Sequence, residues 1–161
     1  MKIITEEMLS SLTDQAGALP RLRANYNVHE SAEDPVQRLF IAAEPLSYFR
    51  PHRHEGKSEL ALIIRGLFDI LLFDPHGTVT ERIQAGRGRN IIAVEIPADI
   101  YHTWIPMEQG SVFFEVKKGP YDPAAPASFA IWSPPEGSAG VKEFQTRLLN
   151  AQAGDCVAPV L

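Results

Sequence analysis

The stretch His52-Arg53-His54-Glu55-Gly56-Lys57-Ser58-Glu59 confines this chain more tightly than any other. It reads H-x-H-x-x-x-x-E and runs through a mostly apolar segment to Gly66; Pro97-Ala98-Asp99-Ile100-Tyr101-His102 follows downstream. On a strand, side chains alternate faces, so His52 and His54 project from one side about 7 Å apart along the chain. The polar run Glu55 to Ser58, with its glycine, reads as a turn. That turn returns Glu59, at the head of the next strand, to the same side. His102 opens a further apolar stretch after a proline-led turn. Three imidazoles and one carboxylate, each set on a strand, suit one divalent transition metal (Fe, Zn, Ni or Mn) with positions left for a small molecule. The competing reading is a set of surface histidines in a polar loop. Extended segments on both sides and a turn between them argue against it. For His102 alone, a hydrogen-bonded core histidine stays open. The single cysteine, Cys156, is far from the cluster in sequence.

The rest of the chain supplies the strands. Short runs rich in Ile, Val, Leu and Phe alternate with Gly, Pro and Asp, and the pattern predicts strands at 36–43, 48–54, 59–65, 67–74, 79–84, 90–96, 102–106 and 111–117. Such spacing indicates an all-β sandwich or barrel. Thr5 caps a predicted helix from Glu6 to about Leu19, with Met8, Leu9, Leu12 and Ala16 on one face and Pro20 ending it. Val141, Phe144, Leu148 and Leu149 recur at helical spacing and predict a short C-terminal helix. The expected division is 1–34 for helix and lead-in, 35–118 for the barrel, and 119–161 for a proline-rich arm and helix packed on the same domain. The residues from Gly154 on are expected to fray. Gly86-Arg87-Gly88-Arg89-Asn90 lacks a phosphate-binding loop's Lys-Ser/Thr and leads into no helical pattern, so a phosphate cradle is not expected there.

A chain of 161 residues, 45% hydrophobic and 22% charged, has the composition of one globular domain. Net charge is −5, without a basic run, which argues against nucleic acid as a partner. The N-terminus lacks a signal peptide's apolar core, no stretch is long enough to span a membrane, and one cysteine fits a reducing compartment. The expected location is the cytoplasm and the expected partner a small molecule.

Carrying the alternation back from His52 places Arg50 and Tyr48 on the metal side. There Arg50 would grip an anionic group and Tyr48 would donate a proton or hydrogen bond. Glu115, between Phe113, Phe114 and Val116, must be paired, protonated or solvated. It is expected either to act as a base with a raised pKa or to pair with Arg38 or Arg50. Structural roles for all three remain open. His29 and His76 are expected at the surface.

These residues resemble the cupin superfamily. His52, His54, Glu59 and Gly66 match the latter part of its first motif, and Pro97 and His102 match its second. The pattern departs at Leu46 and Asp99, where glycines are usual, and at Pro106, where Asn is usual. Asp99 tolerates left-handed geometry better than most residues. The phrases Ser47-Tyr48-Phe49-Arg50-Pro51-His52-Arg53-His54 and Phe114-Glu115-Val116-Lys117-Lys118-Gly119-Pro120-Tyr121-Asp122-Pro123, with Phe129-Ala130-Ile131-Trp132-Ser133-Pro134, are most similar to WbuC-type cupin metalloproteins. The resemblance implies a jelly-roll barrel, one divalent metal on His52, His54, Glu59 and His102, a homodimer, and a link to O-antigen sugar chemistry. Two functional readings follow: an isomerase, epimerase or oxygenase acting on a small polar or sugar-like substrate, or a non-catalytic metal-containing sensor or binding protein.

Overall fold

The structure, a computed structural model, describes residues 1–122, 124 and 127–159. Helix α1 spans Glu6–Ala18, and Thr5 Oγ1 accepts the Met8 N–H at 3.2 Å as its N-cap. Its buried face, Leu9, Leu12 and Ala16, packs on Phe40, Ala42 and Val112. A stripe at i, i+3 and i+7 can do this because the three side chains share one side of the helix.

Among the described residues ten strands follow: β1 Arg23–Asn27, β2 Val36–Ala43, β3 His52–Arg53, β4 Glu59–Arg65, β5 Leu67–Phe73, β6 Val79–Gly86, β7 Ala93–Ile96, β8 Tyr101–Pro106, β9 Ser111–Lys118 and β10 Ser128–Phe129. They form two five-stranded sheets, ordered β1-β2-β9-β4-β7 and β10-β3-β8-β5-β6. All the strand pairs run antiparallel. Without the flanking β1 and β10, the order β2-β9-β4-β7 facing β3-β8-β5-β6 is that of an eight-stranded jelly roll. The core between the sheets holds Ala61 and Phe113 from one and Phe68, Ile70 and Trp104 from the other, with Trp104 stacked on Phe113 at 4.4 Å. The β4–β5 turn requires its glycine: Gly66 has φ +71°, and a Cβ there would collide with Ser111.

Most predicted strands stand within one to three residues, and the exceptions have physical causes. The strand expected over 48–54 shrinks to His52–Arg53. The Phe49 carbonyl takes the Thr103 hydroxyl, the Pro51 carbonyl takes the Ala130 N–H at 2.9 Å, and Pro51 has no N–H to give a ladder. The lead-in adds β1, whose Asn-rich sequence gave no strand signal but which pairs along β2 from Arg23↔Ala43 to Asn27↔Leu39. Nor does the C-terminal tail fray up to Pro159: Gly154 N–H donates to Val79, Val157 N–H donates to Gly77, and Val157 is buried. Val160 and Leu161, also in that expectation, lie outside the described residues, as do Pro123, Ala125 and Pro126 of the proline-rich arm. Helix α2, Val141–Asn150, places Phe144 and Leu148 against Tyr48, Leu71, Phe73, Val79 and Ile105. Among the described residues no helix is long and apolar enough to cross a membrane.

Candidate metal centre

Strand pairing brings the two histidine motifs together. His52 on β3 is the register partner of His102 on β8, and their rings lie 4.5 Å apart. The His54 ring is 5.0 Å from His52 and 5.9 Å from His102. One nitrogen from each of the three falls within 4.8 Å of the others. Glu59, at the head of β4 and 2% exposed, reaches across from the opposite sheet. Its Oε2 is 3.1 Å from His54 Nε2 and its Oε1 is 3.0 Å from His102 Nε2.

The turns hold this arrangement. His52 Nδ1 lies 2.9 Å from the Arg50 carbonyl and His102 Nδ1 2.9 Å from the Ile100 carbonyl. Donation from Nδ1 leaves Nε2 of both rings as the lone-pair donor. Asp99 sits at φ +66° where the turn needs left-handed backbone, and its carboxylate accepts the Gly56 N–H at 3.2 Å. The turn before His102 is thereby fastened to the turn before Glu59.

The donors suit a cation better than they suit each other. His54 Nε2, His102 Nε2 and both Glu59 oxygens are buried without a hydrogen-bond partner among the described residues, despite their short separations. The pairs are close but misaligned for hydrogen bonding. Two donors bound at right angles to one ion, each about 2.1 Å away, stand about 3.0 Å apart. Burial and the neighbouring imidazoles of His102 and His54 push His52 well below its ordinary value, although Glu59 opposes them. Burial also raises Glu59, but the neighbouring imidazoles, His102 above all, together with the Lys117 charge outweigh it and hold the carboxyl well below the usual range. Burial lowers His102, yet the Glu59 carboxylate outweighs it and raises the imidazole. A neutral imidazole, as at His52, beside an ionised carboxylate is the state a divalent ion requires, and the ion would displace a proton held on His102.

Other expected site residues fall elsewhere. Tyr48 donates its hydroxyl to the Pro134 carbonyl at 2.9 Å and packs edge-on to Phe144. Burial raises its pKa. Arg50 donates to the Ser133 hydroxyl and to the Ala130 and Ser133 carbonyls, and its guanidinium lies over Phe129. Both side chains fasten the C-terminal arm instead of facing the metal centre, because residues 48–51 are not part of a strand and the period-two extension from His52 lapses. Glu115 is buried as expected, but its partner is Lys117 at 2.6 Å; Arg38 pairs with Asp34 instead. Burial, reinforced by the Glu59 charge, raises the Glu115 carboxyl, and Lys117 opposes the rise. Lys117, the register partner of Glu59, went unremarked in the sequence, although its i+2 spacing from Glu115 puts both on one face. His76 is exposed, as expected. His29 is buried: its Nδ1 lies 2.9 Å from the Arg38 carbonyl and 3.0 Å from the Arg38 amide nitrogen, which locks it into the β1–β2 connection.

The solved structures similar to this chain share its fold. A structure described as TT1209 from Thermus thermophilus is 18% identical, with TM-score 0.52 over 73% of this chain and 97% of that one. CapF, solved with the inhibitor 3-isopropenyl-tropolone, is 20% identical with TM-score 0.51, over 65% of this chain but 30% of its own. A cupin superfamily protein from Desulfitobacterium hafniense DCB-2 is 15% identical with TM-score 0.46, over 60% and 76%. At these identities the likeness concerns the fold alone, the eight-stranded jelly roll. No curated protein matches. Residues 4–85, from α1 through most of β6 and including His52, His54 and Glu59, match a single family profile, and the chain belongs to that family, described as Domain of unknown function (DUF6016).

Proposed function

We propose that this protein is a metal-dependent cupin enzyme that holds one divalent transition metal on His52, His54, Glu59 and His102 and acts on a small polar substrate by isomerisation, epimerisation or oxygenation. The observation that carries the reading is the convergence of four buried donor atoms, two imidazole nitrogens and two carboxylate oxygens, that have no hydrogen-bond partner of their own among the described residues. A desolvated carboxylate left in that state is costly unless it is neutralised. Bound there, the ion would supply Lewis-acid polarisation of a substrate oxygen, or dioxygen chemistry if it is iron.

The chain's own residues would do the rest. The Nδ1 hydrogen bonds to Arg50 and Ile100 fix two imidazole planes. Glu115, a buried carboxyl with a raised pKa and an ammonium in contact, has the character of a group that holds or releases a proton. A cavity of about 150 Å³ reaches His54 from the side of Lys57, Lys117 and Tyr121 and admits a small molecule. This is the sugar-sized, polar substrate class that the WbuC-type resemblance implies.

The test is reconstitution. Chelator-treated protein reloaded separately with Fe(II), Mn(II), Ni(II) and Zn(II) is expected to melt higher with at least one ion. Saturation at about a hundredfold over Kd corresponds to about 2.7 kcal/mol. The loaded forms are then assayed for dioxygen uptake and for isomerisation of hydroxylated aldehydes and ketones. No thermal response to any of the four ions would overturn the reading.

A further inference from the structure

A second, larger cavity of about 270 Å³ lies under β1. Arg21, Arg23, Asn25, Asn27 and Lys117 supply its polar wall, and Leu39, Ile41 and Phe49 supply an apolar one. It shares Gln37, Lys117 and Tyr121 with the cavity that reaches His54, so the two adjoin at those side chains. The alternation of β1 accounts for the wall. Arg23, Asn25 and Asn27 pair with Ala43, Ile41 and Leu39 and share the face those residues turn toward the core.

The chemistry of the lining is specific. Arg23 lies over the Phe49 ring at 4.5 Å, donates to the Tyr48 carbonyl and pairs with Glu136, so its guanidinium is held in place. Arg21 shares Glu136. Lys117 pairs with Glu115 and is largely buried. Among the described residues the lining thus presents three cationic side chains, Arg21, Arg23 and Lys117, and no carboxylate, since Glu136 and Glu115 lie outside it. The Gln37 amide donates to the Ala32 and Asp34 carbonyls, so its own carbonyl oxygen is the group it can offer as an acceptor. The Asn25 amide donates to Asn27. The cavity thus combines positive charge, side-chain amides suited to hydroxyl groups and a short apolar wall. Its volume is just below the usual range of small-molecule pockets, about 300–1,000 Å³.

We propose that this cavity is the binding pocket for a small hydroxylated anion, with Lys117 as the charge that draws its acidic group toward the metal centre. The inference rests on the proposed metal function for its direction, but not for the binding itself. A carboxylate and a phosphate ester would both satisfy the charge, and the ligands below separate them.

The experiment measures dissociation constants by ligand-observed NMR on the full chain, metal-free and metal-loaded. The probes are gluconate, glucose 6-phosphate and the neutral polyol sorbitol. At least one anion is expected to bind about tenfold or more tighter than sorbitol in both forms, since a desolvated cation discriminates strongly by charge. Asn25 is on an exposed edge strand, so its variants are expected to fold. Asn25→Asp is expected to weaken the preferred anion by about tenfold and Asn25→Lys to tighten it, while metal content stays that of the wild type. Lys117→Met is expected to abolish the preference over sorbitol. Equal affinity for all three probes, or binding that ignores both Asn25 variants, would overturn the pocket. If metal cannot be loaded but the charge preference persists, the metal reading fails and the pocket stands.

Discussion

Glu59 Oε1 stands 3.0 Å from His102 Nε2, while the other nitrogen of the same ring is held 2.9 Å from the Ile100 carbonyl. The carboxylate therefore faces a ring whose orientation is fixed by backbone. Glu59→Gln keeps the volume and removes the charge. It is expected to weaken metal affinity by at least about tenfold, the order seen even for partners one step removed from a metal. Competition against a chromophoric chelator reads this directly, and unchanged affinity would remove Glu59 from the donor set.

Tyr48 serves the C-terminal arm through its hydrogen bond to Pro134. Tyr48→Phe is expected to lower stability by about 1 kcal/mol and leave the metal content unchanged. Urea unfolding beside elemental analysis separates the two effects. A variant of normal stability that lost metal would restore Tyr48 to the centre.

Leu46 occupies φ +74° and is exposed, at the position where the cupin pattern has glycine. Left-handed backbone costs a leucine about 1–2 kcal/mol, and a glycine's greater unfolded-state entropy returns about 0.5–1 of it. Leu46→Gly is accordingly expected to stabilise the fold by about 0.5 kcal/mol. A lower melting temperature would show that the leucine side chain contributes more than its backbone strain removes.

Asp74 closes the β5–β6 hairpin by accepting the His76 and Thr78 N–H groups at 2.8 and 2.9 Å. The Thr78 backbone hydrogen bond chiefly, with that of His76, lowers its carboxyl below the ordinary range against a small opposing effect of burial. Because the folded pKa is below the unfolded one, the stabilisation is complete above the unfolded value of about 3.9 and disappears as pH falls through the folded one. Asp74→Asn is expected to flatten the acid limb of stability below about pH 4. Identical acid limbs in denaturant titrations of the two proteins would contradict the assignment.

The barrel and the convergence of His52, His54, Glu59 and His102 were legible because alternation, turns and residue spacing are all local signals. Val36–Ala43 and Glu59–Arg65 have the predicted bounds. What escaped depended on tertiary pairing. The Asn-rich β1 becomes a strand only because β2 offers it a ladder, and the Tyr48–Arg50 face is set by carbonyls of an arm more than eighty residues away. Lys117 was within reach of the period-two argument, applied one step along β9 from Glu115.

The proposed function requires one bound metal ion in each chain. Elemental mass spectrometry of the purified protein, beside His52→Ala and Glu59→Ala, tests it most directly. The account predicts about one transition-metal atom per chain in the wild type, as expected of a single mononuclear site, with most of it lost in both variants. A wild type that carries no metal and cannot be loaded with any, or variants that retain it in full, would contradict the account.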